Sequence, residues 1–196
     1  MEPTEVGAFT PEADRGTDAV ASKSLLFFFG LPGAGKSFCG RLMEREFGYR
    51  FHEGDAWLPE DLRASLRRGQ GFTPEQRDRF AAAIADRIDE AKLSELRSLT
   101  PRPLAVAQAV FKRRHRDIIR KRHPEAKFVW VRSDDVRFER LAARGNLVDV
   151  DLGRRMASDF EPPSEDEVLH VIDNGGGTDE ALLLQQVRDL AVASAL

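Results

Sequence analysis

The sequence predicts an α/β fold in which a five-stranded parallel sheet is covered by helices on both faces. Short apolar runs alternate with segments of helical periodicity five times along the chain, an order typical of parallel sheets. The 196 residues suit one domain with a single core. One apolar run leads into a glycine-rich turn that ends in Lys-Ser, which is typical of a strand, a turn and a helix in succession. We therefore expect right-handed crossovers between the strands.

The glycine-rich turn follows the apolar run Leu25–Phe29, which we predict as a buried strand. Gly30, Gly35, Lys36 and Ser37 occupy every fixed position of the phosphate-binding loop pattern. Glycines let backbone N–H groups approach phosphate oxygens, and the helix that follows directs its positive end at the anion. In this pattern the lysine reaches the β- and γ-phosphates and the serine hydroxyl holds Mg²⁺. The predicted nucleotide-binding residues are Gly30, Gly33, Ala34, Gly35, Lys36, Ser37 and Phe38.

The composition and charge exclude several classes of protein. Hydrophobic residues make up 41% and charged residues 32%, which is typical of a soluble globular protein. The net charge of −3 argues against nucleic acid as a partner. Cys39 is the only cysteine, which excludes an intrachain disulfide and a cysteine metal cluster and fits a reducing compartment. No run reaches the length of a membrane span, so we expect a cytoplasmic protein with no membrane partner.

The rest of the chain continues the alternating order. Residues 1–23 are rich in Glu, Asp, Thr, Ala and Pro without apolar periodicity, so we expect a mobile tail and then a single domain over residues 24–196. Further strands are expected at Tyr49–His52, Pro103–Val110, Lys127–Arg132 and Val168–Ile172. Helices are expected to begin near Pro59, Thr73, Lys112, Ser133 and Thr178. Since the carboxyl ends of parallel strands meet at one edge of a sheet, the residues that follow them should converge there.

Two large classes of nucleotide-binding protein do not fit the later motifs. A GTPase would need an Asn-Lys-x-Asp sequence after a late strand, and the chain has none; its only Asp-x-x-Gly is Asp173–Gly176, close to the C-terminus. A motor-type or transporter-type ATPase would need an apolar strand that ends in an acid, but Leu104–Gln108 ends in none. Val168–Asp173 does end in an acid, yet too little chain follows it to complete such a sheet. Small-molecule kinases remain.

Five blocks of sequence point to one group of these kinases. Phe51–Asp55 sits where the group has Asp-Gly-Asp, and Pro59, Gly69 and Arg77 follow at the spacing of the group. Lys112–Asp117 matches the start of its Ala-Leu-Lys-x-x-x-Arg-Asp helix. Arg140–Arg144 matches the start of its lid, and Phe160–Pro163 matches the Phe-Glu and later Pro that close it. On these blocks the stretch from Gly30 to about Pro163 resembles the gluconate kinase family, relatives of shikimate and adenylate kinases. The resemblance implies a three-layer P-loop NTPase sandwich with a helical substrate and lid region.

The resemblance and the strand order suggest roles for residues on the acceptor side. Asp55 would accept or orient the proton of the acceptor hydroxyl and would also hold Mg²⁺; the alternative is a turn residue that caps the next helix. Arg77 would bind an acidic substrate or the moving phosphoryl group, unless it lies on a solvated helix face. Lys112 would meet a substrate anion, or belong to a solvated basic cluster. Trp57 either lines the acceptor pocket or packs in the core.

The predicted lid supplies two further cations. Arg140 and Arg144 are four residues apart and therefore share one helix face. As lid cations they would stabilise the charge of the phosphoryl group in transfer; structural pairing with nearby acids is the alternative. With Lys36 and Asp55, they complete the predicted catalytic set.

Several positions depart from the family pattern on the acceptor side. Leu58 stands where the family has His, Leu62 where it has Asn, and Ala109 where it has Ser. Asn146–Val148 replaces the Gly-His-Phe of the lid. The changes at Leu58, Leu62, Ala109 and Leu147 each remove a hydrogen-bonding group that could bind a polyol acid, and a pocket without such groups can serve another ligand.

These observations predict an ATP- and Mg²⁺-dependent kinase that phosphorylates a hydroxyl of a small molecule, a sugar acid such as gluconate being the acceptor that the resemblance implies. One alternative is a kinase of another acceptor: a nucleoside, an antibiotic or a nucleic-acid end. The other is a nucleotide-binding regulator without catalysis. A homodimer is compatible with the resemblance, because the related fold often pairs through its helices.

Overall fold

The computed structural model describes residues 24–144, 147–167 and 170–194, so the predicted N-terminal tail lies outside the described residues. The strands are β1 Leu25–Phe29, β2 Arg50–Glu53, β3 Leu104–Ala107, β4 Ala126–Arg132 and β5 His170–Asp173. The helices are α1 Lys36–Phe47, α2 Glu60–Arg67, α3 Pro74–Leu96, α4 Arg113–Arg122, α5 Val136–Arg144, α6 Val150–Ser158 and α7 Glu180–Ser194. Short 3₁₀ turns span Gly54–Trp57 and Glu165–Glu167. No helix in the described ranges combines the length and the apolar character that crossing a membrane requires.

The five strands form one parallel sheet in the order β2-β3-β1-β4-β5, which confirms the predicted α/β fold. Strand β1 is central, and Phe28 lies beside Ala107 of β3 and Val129 of β4. All five side chains of β1 are fully buried. The chain therefore leaves β1 in the middle of the carboxyl edge of the sheet, where ligands bind in open α/β folds.

The side chains of β1 alternate between two apolar cores, because successive residues of a strand point to opposite faces. Leu25, Phe27 and Phe29 belong to the core that packs against α2, α3, α4 and α6. Leu26 and Phe28 belong to the core formed with α1 and α7. Each face of the sheet is thus covered by helices, and the central strand is shielded from water on both sides.

Side chains cap the starts of α3 and α5. Thr73 and Gln76 exchange the two hydrogen bonds of a capping box at the start of α3. At the start of α5 the Asp134 carboxylate accepts from the first helical N–H, that of Val136, at 3.1 Å. The Ser133 hydroxyl donates to the carbonyl of Asn174, which ties the segment before α5 to the residue that follows β5.

A buried ion pair joins α4 to the segment before β5. The Arg116 guanidinium donates to both carboxylate oxygens of Glu167, at 2.8 and 2.7 Å, and the two side chains are 0% and 1% exposed. Arg116 also donates to the Glu161 carbonyl and lies over the ring of Phe29. Burial alone would raise the pKa of Glu167, but hydrogen bonds from Arg116 and the Ser164 backbone lower it to about 2. Arg116, one of the residues that match the family pattern, therefore stabilises the fold.

Candidate active site

The loop Gly30–Ser37, here called the phosphate loop, connects β1 to α1. Gly35 precedes the first residue of α1 with φ 99°, in the left-handed region that favours glycine. A Cβ there would also collide with the side-chain nitrogen of Asn174. No side chain caps α1, and its first turn holds no acidic residue. The first N–H groups of α1 have no acceptor within the helix, and the start of this helix fits an anionic phosphate.

Lys36 and Ser37 begin α1 and face the cavity that lies beside the phosphate loop. The Lys36 ammonium spans the loop and donates to the Leu31 carbonyl at 2.8 Å. This position holds a positive charge against the loop that is predicted to bind phosphate. The residues present thus fit both a nucleoside triphosphate and, through the Ser37 hydroxyl, a magnesium ion.

The cavity beside the phosphate loop has a volume of about 130 Å³. At the phosphate-loop end its walls include Lys36, Ser37, Glu53, Asp55 and Gln108. The remaining walls are largely apolar, and they come from α2, α3, the segment after β3, and α5 and α6 with the segment between them. The sheet therefore brings the predicted nucleotide residues and the predicted acceptor residue Asp55 to one chamber.

Asp55 lies in the 3₁₀ turn after β2, and its carboxylate accepts a 3.1 Å hydrogen bond from Nε2 of Gln108. Gln108 follows β3 and is 5% exposed. Its side-chain oxygen, Oε1, accepts from the backbone N–H of Ala109. The amide thus orients one oxygen of the Asp55 carboxylate. Helix α2 begins after Pro59 without a side-chain cap, so the alternative reading of Asp55 as its cap is not observed.

Arg77 and His115 line both this cavity and a neighbouring open groove. The Arg77 guanidinium donates to the Phe72 carbonyl at 3.2 Å and to Asp159 at 2.7 Å, and it lies over the ring of Phe111. Its side chain is only 13% exposed, so it does not lie on a solvated face, and burial lowers its pKa. Burial likewise lowers the pKa of His115, although the Asp78 carboxylate, 3.0 Å from its Nε2 atom, opposes that shift.

Solved structures of two sugar-related kinases superpose on most of this chain. A sugar kinase from Janibacter sp. HTCC2649 superposes with a TM-score of 0.73 at 22% identity, over 88% of this chain and 97% of that one. A gluconokinase from Sinorhizobium meliloti 1021 superposes with a TM-score of 0.71 at 24% identity, over 89% and 95% of the two chains. The chain has the fold of the gluconokinase-like kinases.

The similarity extends to kinases with other acceptors. APS kinase of Mycobacterium tuberculosis, solved in complex with AMPPNP and APS, superposes with a TM-score of 0.55 at 20% identity, over 87% of this chain and 98% of that one. No family model and no curated protein matches the sequence. The likeness is thus one of fold, and the acceptor has to be inferred from the residues of this chain.

Two residues predicted to bind the acceptor lie outside the cavity of this gluconokinase-like fold. Trp57 packs against the apolar core, with its ring 5.4 Å from that of His52, so the core-packing alternative describes it. Lys112 lines the open groove with Arg113 and Arg114, not the cavity beside the phosphate loop. The sequence placed both residues after the correct strands, but it did not give the directions in which their side chains point.

The predicted lid cations lie on α5. Arg140 donates to the backbone carbonyl of Asn174 at 2.9 Å and to its side-chain oxygen at 3.2 Å. Asn174 in turn donates to the Ala34 carbonyl of the phosphate loop at 2.8 Å. Arg140 is therefore linked to the loop through Asn174 and does not line the cavity. The side chain of Arg144 lies outside the described part of the chain.

The positions that depart from the family pattern divide into two groups. Leu58 and Leu62 are buried in the core, where an apolar side chain adds to packing. Ala109, Leu147 and Val148 line the cavity, where Ala109 and Leu147 stand in place of the polar Ser and His of the family pattern. Asn146 lies outside the described residues. The sequence pattern alone does not tell which of these residues face the core and which face the cavity, because that depends on the direction of each side chain.

Proposed function

We propose that the chain is an ATP-dependent kinase that transfers the γ-phosphoryl group of ATP to a hydroxyl of a small molecule. One observation carries the proposal: the phosphate loop and the carboxylate of Asp55 line the same chamber. The chamber continues from this polar end into an apolar pocket large enough for an acceptor. The fold shared with a sugar kinase, a gluconokinase and APS kinase supports it.

The phosphate loop would bind the triphosphate. Backbone N–H groups of the loop and the first turn of α1 would donate to phosphate oxygens, and Lys36 would leave the Leu31 carbonyl to reach the β- and γ-phosphates. Ser37 and Asp55 would hold Mg²⁺. Bound there, the ion would neutralise negative charge of the phosphate groups.

Asp55 would act on the acceptor. Its carboxylate, held by Gln108, would accept the proton of the acceptor hydroxyl as that oxygen bonds to the γ-phosphorus. The bond from the γ-phosphorus to the oxygen that bridges it to the β-phosphorus breaks, and ADP leaves. Arg140 would act mainly by positioning the phosphate loop through Asn174. Stabilisation of the transferring charge by Arg140 and Arg144 is part of the same proposal.

Two acceptor classes follow from different observations. A sugar acid such as gluconate is the acceptor suggested by the similar structures, and Arg77 would take its carboxylate in exchange for Asp159. An acceptor of another class is favoured by the apolar walls of the chamber. We also propose a reducing, cytoplasmic location, as expected from the single cysteine. A homodimeric state is a further part of the proposal.

The test is Mg·ATP consumption by the purified protein with a panel of acceptors: gluconate, related sugar acids, shikimate, nucleosides, simple aromatic alcohols and a 5′-hydroxyl oligonucleotide. We expect ADP release above the acceptor-free rate with at least one small alcohol. Bound ATP without acceptor-dependent release would overturn the proposal and favour a nucleotide-binding regulator.

A further inference from the structure

We infer that the acceptor is an alcohol whose body is apolar and about the size of one six-membered ring, not a polyol acid. This inference rests on the kinase proposed above, because it assigns the same chamber its substrate class. It follows from what lines the chamber, from the bonds that its polar groups already make, and from its volume.

The body of the chamber is lined mainly by apolar side chains of the described residues. Aromatic and aliphatic side chains form it, and they come from α2, α3, the segment after β3, α5, the segment between α5 and α6, and α6. They are Leu66, Phe72, Phe80, Ala81, Ile84, Ala109, Val110, Phe111, Leu141, Leu147, Val148 and Met156. Ligand pockets are specific through a few polar groups set in such walls. Here the polar lining side chains are Lys36, Ser37, Glu53, Asp55 and Gln108 at the phosphate-loop end, with Arg77 and His115 where the chamber meets the groove.

Most of these polar groups already have partners within the chain. Gln108 uses its side-chain nitrogen on Asp55 and its oxygen on the Ala109 N–H. Arg77 donates to Phe72 and Asp159, and His115 lies against Asp78. These bonds reduce the number of donors and acceptors that remain to satisfy several hydroxyls of a ligand.

A polyol in this chamber would bury hydroxyls without partners, and such burial is unfavourable. Glu53 and Asp55 could accept from the hydroxyls nearest the phosphate loop. Hydroxyls further along the chain of a sugar acid would face Phe80, Ile84 and Met156 instead. An apolar body carries no such penalty, and its burial there is favourable.

The volume of the chamber sets the size of that body. Its 130 Å³ is close to the roughly 150 Å³ of an engineered apolar protein cavity that stays dry and binds benzene. A single ring with a hydroxymethyl group would place its ring among the apolar walls and its hydroxyl at Asp55. Arg77, at the junction with the groove, would meet an anionic substituent on the far side of that ring.

The experiment compares two acceptors that share a primary hydroxyl and a carboxylate: para-(hydroxymethyl)benzoate and gluconate. Binding to the protein is measured by calorimetry with a non-hydrolysable ATP analogue and Mg²⁺, and phosphoryl transfer is measured separately with ATP. We expect kcat/KM for the aromatic alcohol to exceed that for gluconate by roughly 100-fold, the discrimination that pockets of this kind reach.

A matched pair of variants tests the apolar wall itself. Leu147→Asn places an amide in the wall, whereas Leu184→Asn places one at an equally half-buried leucine in the other core, away from the chamber. We expect Leu147→Asn to weaken binding of the aromatic alcohol by roughly 10-fold and to leave gluconate binding no weaker. Leu184→Asn should leave both unchanged.

The two proposals fail in different ways. Tighter binding of gluconate than of the aromatic alcohol, or binding of neither, would overturn the inference about the acceptor. Tight binding of the aromatic alcohol without transfer to it or to any other alcohol of the panel would support the ligand class and overturn the kinase. Equal loss of binding in both asparagine variants would contradict a specific role for the wall at Leu147.

Discussion

The side-chain amide of Gln108 donates to the carboxylate of Asp55 over 3.1 Å, across the ends of two neighbouring strands. The pairing of β2 with β3 places Glu53 beside Ala107, so the two residues that follow these strands are held together by the sheet. Gln108 is buried, while Asp55 is exposed to the chamber. The carboxylate is therefore fixed on one side and open to a ligand on the other.

Replacing Asp55 by Asn should remove the proton acceptor and keep the shape of the side chain. We expect kcat to fall by about 10² to 10⁴-fold, the usual contribution of a positioned acid or base, with a smaller change in ATP binding, to which Asp55 would contribute only through the Mg²⁺ that it holds with Ser37. Steady-state kinetics and calorimetry with ATP measure the two effects. Asp61→Asn is the matched control, because Asp61 is exposed and pairs with Arg79 outside the chamber. Equal effects of both changes would remove Asp55 from the mechanism.

Lys36→Met should remove the cation that lies against the phosphate loop. Loss of one charge-stabilising donor typically lowers kcat by about 10² to 10³-fold, and we expect a loss of that order together with weaker ATP binding. Lys127→Met is the control, because the Lys127 ammonium donates to carbonyls at the end of α7, away from the loop. Unchanged turnover in Lys36→Met would contradict the role given to the loop.

Gly35→Ala should abolish measurable ATP binding. The residue has a positive φ, and its Cβ would collide with the side chain of Asn174, so both backbone and packing oppose any side chain there. Gly71→Ala, where a Cβ would meet nothing, should bind ATP as the parent does. Calorimetric titration with Mg·ATP measures both, and circular dichroism checks that each variant is folded. Normal ATP binding by Gly35→Ala would contradict the proposed loop geometry.

The sequence predicted the parts of the fold that depend on local pattern. The bounds of β1 agree with its all-apolar run, and the phosphate loop follows from glycines and a Lys-Ser pair that are contiguous in the chain. The chamber depends instead on residues from separate segments, such as Phe72 and Met156. Periodicity places such residues on elements, but it does not give the direction of one side chain relative to another element.

The same limit explains the residues whose surroundings the sequence did not foresee. Trp57 and Lys112 follow the expected strands, yet one packs in the core and the other lines the groove. The partner of Arg140, Asn174, lies 34 residues further along the chain, so no local pattern connects them. Only the position of Asn174 after the fifth strand indicates from the sequence that it lies near the phosphate loop.

Arg140 and Asn174 should behave as one unit. Arg140→Met and Asn174→Ala each remove the link between α5 and the Ala34 carbonyl of the phosphate loop, so we expect each to raise KM for ATP. The double variant should be little worse than either single one, because contacting residues that share a network are not additive. A fall in kcat with Arg140→Met, with no effect of Asn174→Ala, would contradict the positioning role and leave Arg140 only its action on the transferring charge.

The buried pair of Arg116 and Glu167 should dominate stability at low pH. Glu167→Gln keeps the shape but leaves the Arg116 charge buried and unpaired, which should lower the free energy of unfolding by about 3–5 kcal/mol. Chemical denaturation measures it. Asp166→Asn, at an exposed pair with Arg113, is the control and should change stability little.

The pH dependence of this pair has a definite sign. Because the pKa of Glu167 is lowered from 4.5 to about 2 in the folded protein, its contribution is complete above pH 4.5 and is lost as the pH falls towards 2. The stability of the parent should therefore fall more steeply over this range than that of Glu167→Gln. Parallel curves for the two proteins would contradict the role of the pair.

The most direct test of the proposed reaction follows the phosphoryl group itself. The protein is incubated with Mg²⁺, ATP labelled in its γ-phosphoryl group, and a mixture of small alcohols that includes para-(hydroxymethyl)benzoate and gluconate. We expect the label to leave ATP and to appear in a phosphate ester of one alcohol, with the parent protein and not with Asp55→Asn. Label that remains in ATP, or that appears only as inorganic phosphate, would contradict the kinase.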